Sequence, residues 1–277
     1  MWLRPHPDRV SGAAQDATAA VEEDAMQGTD RPAAVRILVV NVNTSASITA
    51  TIAEAARRVV AATTEVVALT PRFGPESVEG HFESYLSAVG VLDAVASYEG
   101  PFDAVVQAGF GEHGREGLQE LLDVPVVDIT EAAAHIACLL GRRYGVVTTL
   151  QRAVPMIEDR LRLAGLDARC AGIRASGLGV LQLEEEPMSV VPALVEQAKR
   201  LVEEDGAEVL CLGCAGMAGL DEAVSAATGV PVVDGVASAA LLAEALVRQG
   251  LRTSKAGAYA APHAKSIPGW PLGRSAP

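Results

Sequence analysis

The chain repeats itself. Asp103-Ala-Val-Val-Gln-Ala-Gly109-Phe-Gly leads through a helical stretch to Val124-Pro-Val-Val-Asp128, and Glu208-Val-Leu-Cys-Leu-Gly-Cys214-Ala-Gly leads the same way to Val230-Pro-Val-Val-Asp234. Further upstream, Arg36-Ile-Leu-Val-Val-Asn-Val pairs with Arg143-Tyr-Gly-Val-Val-Thr-Thr. The partners stay 105 to 107 residues apart, in the same order. A match of that length and order marks one duplicated supersecondary unit. Within each unit, short apolar runs alternate with helix-spaced segments, the pattern of parallel strands joined by helical crossovers. The expected fold is therefore α/β, with two pseudo-symmetric Rossmann-like lobes, parallel sheets and an active site at the lobe interface. In such sheets the crevice lies beyond the carboxyl ends of the strands. There the duplication places Gly109 in one lobe and Cys214 in the other.

Four segments follow from this plan: a leader over 1–35, a first lobe over 36–129, a second over 130–234, and a C-terminal helix and tail over 235–277 that packs back on the first lobe. The leader is rich in Ala, Asp and Glu and lacks both the basic start and the unbroken apolar region of a secretory signal, so it reads as disordered. Strands are expected at 37–42, 65–69, 103–108, 126–129, 144–147, 168–173 and 208–212, and helices at 48–62, 81–98, 130–140, 153–164, 189–204 and 236–249. The connection Ser176-Gly-Leu-Gly179 reads as a loop.

Composition narrows the function. A net charge of −13 opposes a nucleic-acid partner, whose phosphates require a basic surface. No uncharged apolar run approaches the roughly 20 residues of a spanning helix, so no membrane partner is expected. The four cysteines, Cys138, Cys170, Cys211 and Cys214, sit inside globular segments without a disulfide framework, which points to free thiols and a cytoplasmic location. Cys138 and Cys170 read as structural. Ser176-Gly-Leu-Gly179 lacks the third glycine and acidic partner of a dinucleotide site, and no phosphate-binding Gly-Lys-Ser/Thr loop occurs. Cys211 and Cys214 have metal-like spacing but no second ligand pair, and no metal is expected. Residues three apart on a strand face opposite ways, which places Cys211 in the core.

Two facing strand ends with a thiol suit proton transfer at carbon. A crevice between related lobes can set one base on each face of a planar carbanion, as racemisation requires. Backbone N–H groups at the turns would stabilise the developing enolate oxygen. A small carbon acid flanked by carbonyls needs no cofactor for this. The polar turns Asn43-Thr44-Ser45 and Thr148-Thr149 could hold its carbonyls, although each could equally cap a helix.

The run Asn41-Val-Asn-Thr-Ser45, the loop Gly74-Pro-Glu-Ser-Val-Glu-Gly80, the segment Arg143-Tyr-Gly-Val-Val-Thr-Thr-Leu150, and the runs Leu212-Gly-Cys-Ala-Gly-Met217 and Asp234-Gly-Val-Ala-Ser238 resemble the hydantoin racemase branch of the aspartate/glutamate racemase superfamily. The resemblance spans about 36–265. It implies a two-lobe parallel-sheet fold, cofactor independence, catalysis by two cysteines at the lobe interface, a 5-substituted hydantoin or allantoin as substrate, and a homo-oligomer. By the same resemblance Phe110, Ala215 and Gly216 flank the substrate beside Gly109 and Cys214, and Glu79 either holds its loop or touches substrate.

One departure changes the chemistry. The family has its first cysteine in a Cys-Phe-Gly-Asp-Pro-Gly turn, and this chain has Gly109-Phe-Gly-Glu-His-Gly114. Only Cys214 remains. Three explanations compete: a racemase in which His113 or Glu112 replaces the missing base, a one-thiol reaction like that of arylmalonate decarboxylase, whose glycine and cysteine pattern this chain resembles, or a ligand-binding protein without catalysis.

Overall fold

A computed structural model describes residues 34–185, 189–263 and 265. All but the end of the expected leader, and the tail from 264 apart from Lys265, lie outside the described residues.

The first sheet holds β1 (Val35–Asn41), β2 (Thr64–Leu69), β3 (Ala104–Ala108) and β4 (Val126–Asp128) in the order β2-β1-β3-β4. The second holds β5 (Tyr144–Thr148), β6 (Cys170–Ala175), β7 (Val209–Leu212) and β8 (Val232–Asp234) in the order β6-β5-β7-β8. Every pairing is parallel, so the duplicated sequence builds the same sheet twice. Strands β3 and β7 are buried along their whole length, which explains why both read as nearly unbroken apolar runs.

In the first lobe the crossovers are α1 (Ala46–Val59), α2 (His81–Ala96) and α3 (Arg115–Leu121), and in the second α5 (Val154–Leu163), α6 (Val180–Glu185), α7 (Val191–Glu203) and α8 (Asp221–Thr228). Between the lobes runs α4 (Ile129–Leu140), and α9 (Gly235–Arg248) closes the fold. Helix α6 stands where the sequence suggested only a connection. The other boundaries agree with the expected ones to within about two or three residues, the usual scatter at helix and strand ends.

The two lobes exchange helices. Helix α4 follows the last strand of the first sheet but packs on β5, β7 and α5, whereas α9 follows the last strand of the second sheet and packs on β1, β3 and α1. Each is started by the aspartate that ends a repeated Val-Pro-Val-Val-Asp. Asp128 Oδ1 accepts from the N–H groups of Thr130 and Glu131 at 2.8 and 2.9 Å, and Asp234 Oδ1 accepts from those of Val236 and Ala237 at 2.8 and 3.1 Å. The two helices pack on each other along alanine-rich faces, and a single apolar core therefore draws on both sheets, including Ile37, Val106, Val146 and Val209. Beyond α9, Thr253 bonds the backbone of Asp123 and Val124, and Lys255 Nζ donates to the carbonyls of Gln119 and Glu120, so the chain lies along α3. Among the described residues no helix is long and apolar enough to cross a membrane.

The helix starts meet at Gly235, where a Cβ would stand 2.8 Å from the Ile129 carbonyl oxygen. Gly235→Ala must push the two helices apart and should destabilise the fold by about 1–3 kcal/mol. A urea midpoint equal to that of the unsubstituted protein would show that the junction has slack.

Candidate active site

The carboxyl ends of the central strands of both sheets open on one cavity, with Asn43, Gly109, Phe110 and His113 on the first-lobe wall and Thr148, Thr149, Cys214, Ala215 and Gly216 on the second. Apolar side chains close the remainder, among them Val78, Met156 and Val180.

Cys214 follows β7 through Gly213, whose N–H bonds the Val147 carbonyl at 2.8 Å and whose carbonyl accepts from Thr148 Oγ1 at 3.1 Å. A Cβ at 213 would stand 2.8 Å from Val146 and 2.9 Å from the Val147 oxygen, so only glycine lets the strands approach this closely. The half-buried Cys214 precedes a single 3₁₀ turn, Ala215–Met217. Burial pushes its thiol up to about 11, and the negative charge of Glu79 acts in the same direction, whereas the backbone N–H groups of Gly216 and Met217 favour the thiolate. At neutral pH the group is a protonated thiol, able to give a proton. Cys211 lies in the core, fully buried.

The opposite wall explains Gly109. A Cβ there would stand 2.3 Å from His113 Cδ2, 2.4 Å from Val42 Cγ1 and 2.8 Å from Gln107 Nε2. The His113 ring thus fills the space that a side chain at 109 would need. His113 is 2% exposed, and its Nδ1 lies 3.2 Å from Ser84 Oγ on α2. Burial holds the imidazole down to about 4, the Phe110 carbonyl opposes this and the Arg160 charge adds to it. His113 is therefore neutral at pH 7 and able to take a proton. Its turn is shaped by Gly111 and Gly114, both at positive φ, and pinned where the Gly111 N–H donates to Thr130 Oγ1 at 2.8 Å.

Glu112, the other candidate base in this turn, does not line the cavity. Its carboxylate accepts from the Gly114 N–H at 2.9 Å and from Arg160 Nη1 at 2.9 Å. Burial raises its pKa, against the pull of that N–H group and of Arg160. Arg160 reaches from α5 in the second lobe and also binds Glu116, Asp128 and Glu131, which makes it a buried tie between lobes.

The first polar turn divides its labour. Asn43 Oδ1 accepts from Asn41 Nδ2 at 2.7 Å and from the Ser45 N–H at 3.0 Å. Thr44 bonds the Pro75 carbonyl through both its N–H and its hydroxyl, and Ser45 Oγ caps α1 by accepting from the Ile48 N–H. Neither Thr44 nor Ser45 lines the cavity. Glu79 lies outside the lining too, with Oε1 accepting from the Val180 N–H at 3.0 Å, so that it joins the 74–80 loop to α6. Asn41, Ser84, Gln107 and Arg160 were not singled out by sequence reasoning. Gln107 was the most visible of them, a lone amide in the apolar strand Ala-Val-Val-Gln-Ala. It is fully buried, and neither end of its amide is hydrogen-bonded among the described residues. No group of three or more His, Cys, Asp or Glu side chains suited to a metal occurs among the described residues.

Comparison with known proteins agrees with this architecture. The family described as Asp/Glu/Hydantoin racemase matches residues 37–243. A hydantoin racemase from Paenarthrobacter aurescens is 40% identical over 233 residues, 83% of this chain and 99% of that protein. The crystal structure of allantoin racemase from Pseudomonas fluorescens is similar with a TM-score of 0.83 and 65% identity, over 84% of this chain and 99% of that one. Allantoin racemase from Klebsiella pneumoniae follows at a TM-score of 0.82 and 41% identity, over 85% of this chain and 97% of its own. The chain belongs to the Asp/Glu/hydantoin racemase family and is an enzyme of the racemase class.

Proposed function

We propose that this enzyme racemises 5-substituted hydantoins or allantoin without a cofactor, with Cys214 exchanging a proton on one face of the C5 carbon and His113 on the other. The observation that carries the reading is the replacement at Gly109: where the family resemblance implies a first thiol, an imidazole fills the space. The two groups occupy the two lobe walls of one cavity.

Their resting states suit the reaction. His113 begins neutral and Cys214 protonated, so the ring removes the C5 proton while the thiol supplies one to the opposite face. The C5–H bond breaks, its electron pair spreads onto the adjacent carbonyl, and a new C–H bond forms as S–H breaks. The pair ends as imidazolium and thiolate, which is the state that converts the opposite enantiomer. Asn43 supports the negative oxygen. Both donors near its Oδ1 are already bound there, which leaves Nδ2 for a substrate carbonyl. The Thr149 hydroxyl, on the facing wall and without a hydrogen bond among the described residues, serves a second carbonyl. Glu112 acts through its ion pair with Arg160, holding the turn. The acidic charge and free cysteines fit a cytoplasmic enzyme, and the family resemblance favours a homo-oligomer.

The test follows the C5 hydrogen of single-enantiomer hydantoins and allantoin in deuterium oxide by NMR, together with optical rotation. Exchange should accompany loss of rotation, and Cys214→Ala should lower racemisation by at least about 10²-fold. Exchange with rotation retained would instead identify a one-thiol enzyme, to be tried on malonate-type acids. Absence of exchange with every hydantoin would end the assignment.

Two further outcomes are expected. For the enantiomer deprotonated by His113, kcat/KM should fall below pH about 4, where the imidazole protonates, and above pH about 11, where the thiol ionises, with a plateau between. An acid limb that persists unchanged in His113→Asn would show that His113 is not the base. Gly109→Cys should not raise activity, because its side chain meets the imidazole and Val42, and it should cost about 1–3 kcal/mol of stability. Thermal melting should show part of that loss recovered in Gly109→Cys/His113→Ala.

A further inference from the structure

We infer that Ser84 is the positioning residue of the His113 base: it holds the proton of the neutral imidazole on Nδ1 and leaves Nε2 as the atom that exchanges protons with substrate. The catalytic part of this inference rests on the racemase reading above.

The argument is one of donor and acceptor counting. Ser84 projects from α2, 2% exposed, and its hydroxyl has one hydrogen. That hydrogen is directed to the Glu112 carbonyl oxygen, for which no other donor occurs among the described residues. The Ser84 oxygen can then offer only lone pairs to His113 Nδ1, 3.2 Å away, so Nδ1 must carry the hydrogen between them. In a neutral imidazole this leaves Nε2 with a free pair.

The opposite tautomer would place the hydrogen on Nε2. It would require Ser84 to turn its hydrogen from Glu112 to Nδ1 and abandon a buried carbonyl. After proton uptake no such conflict remains: Nδ1–H still donates to Ser84, and the new hydrogen sits on Nε2. One serine therefore serves both protonation states without rearranging.

The turn that presents the Glu112 carbonyl is itself held. Arg160 and the Gly114 N–H bind the Glu112 carboxylate, and the Gly111 N–H is fixed to Thr130. Arg160 from α5, with its carboxylate partners, supplies the charge near the ring from the second lobe. On the first-lobe side the ring meets Val42 and the Gln107 amide, which converge with it on the missing Gly109 Cβ.

The experiment labels the chain's five histidines with ¹⁵N and assigns His113 by comparison with His113→Asn. Long-range ¹H–¹⁵N correlation at neutral pH should show a protonated Nδ1 and an unprotonated Nε2 in the unsubstituted protein. Ser84→Ala should shift the proton toward Nε2 and lower kcat about tenfold or more with little change in KM. Ser84→Thr, which keeps the hydroxyl, should restore both. An Nε2–H tautomer in the unsubstituted protein, or a tautomer unmoved by Ser84→Ala, would overturn the inference. Because the spectrum needs no substrate, the first measurement stands even if the alanine variant fails to fold. An Nδ1–H spectrum in a protein that racemises no hydantoin would support the serine's hold on the ring while ending the functional reading.

Discussion

The exchange of α4 and α9 is the constraint on which the rest depends. Each helix leaves one sheet through an aspartate N-cap and packs on the other, so neither lobe completes its core alone. Capping matters here because four N–H groups at each helix start would otherwise be buried without partners. With the helices crossed and touching at Gly235, the carboxyl ends of β1, β3, β5 and β7 face one shared cavity. Arg160 and Glu79 reinforce the same junction from the two sides of that cavity. The Arg160 cluster is buried at its centre, where each charge loses hydration, so its partners must all be kept together.

Burial acts on Cys214 and His113 with opposite sign. Removing water penalises whichever form is charged, which raises an acid thiol and lowers a basic imidazole. One environment thereby leaves Cys214 protonated and His113 neutral over the physiological range, the resting states that the proposed proton transfer needs. A pair of thiols in the same cavity would have to share one proton between equal partners. In the proposed reaction the pairing of unlike groups assigns the resting roles chiefly through desolvation, and the N–H groups of Gly216 and Met217 favour the thiolate once it forms.

The glycine at 109 belongs to this arrangement. A side chain there and the ring of His113 would occupy the same volume, so glycine at 109 and the ring at 113 form a single packing arrangement four residues apart. Val42 and Gln107 complete the enclosure, and Ser84 anchors the far edge of the ring from α2. The proposed base is thus held by a strand, a turn and a helix of the first lobe, while its partner thiol rests on the second.

Much of this was legible in the sequence. The duplication, the apolar strand runs and the two Val-Pro-Val-Val-Asp segments determined the pair of parallel sheets and the helix starts, because strand burial and N-capping are local consequences of residue order. The duplication also placed Gly109 and Cys214 at matching strand ends. Tertiary structure decided which neighbours reach the cavity. Asn43 faces it, whereas Thr44 and Ser45 turn to Pro75 and to the α1 N-terminus, and between Glu112 and His113 only the histidine lines it. No sequence rule could separate those two, since the choice depends on Arg160 arriving from the other lobe 48 residues away. Ser84 is hidden for the same reason: its hydroxyl matters only because folding sets it between a carbonyl and a ring that are 28 and 29 residues distant along the chain.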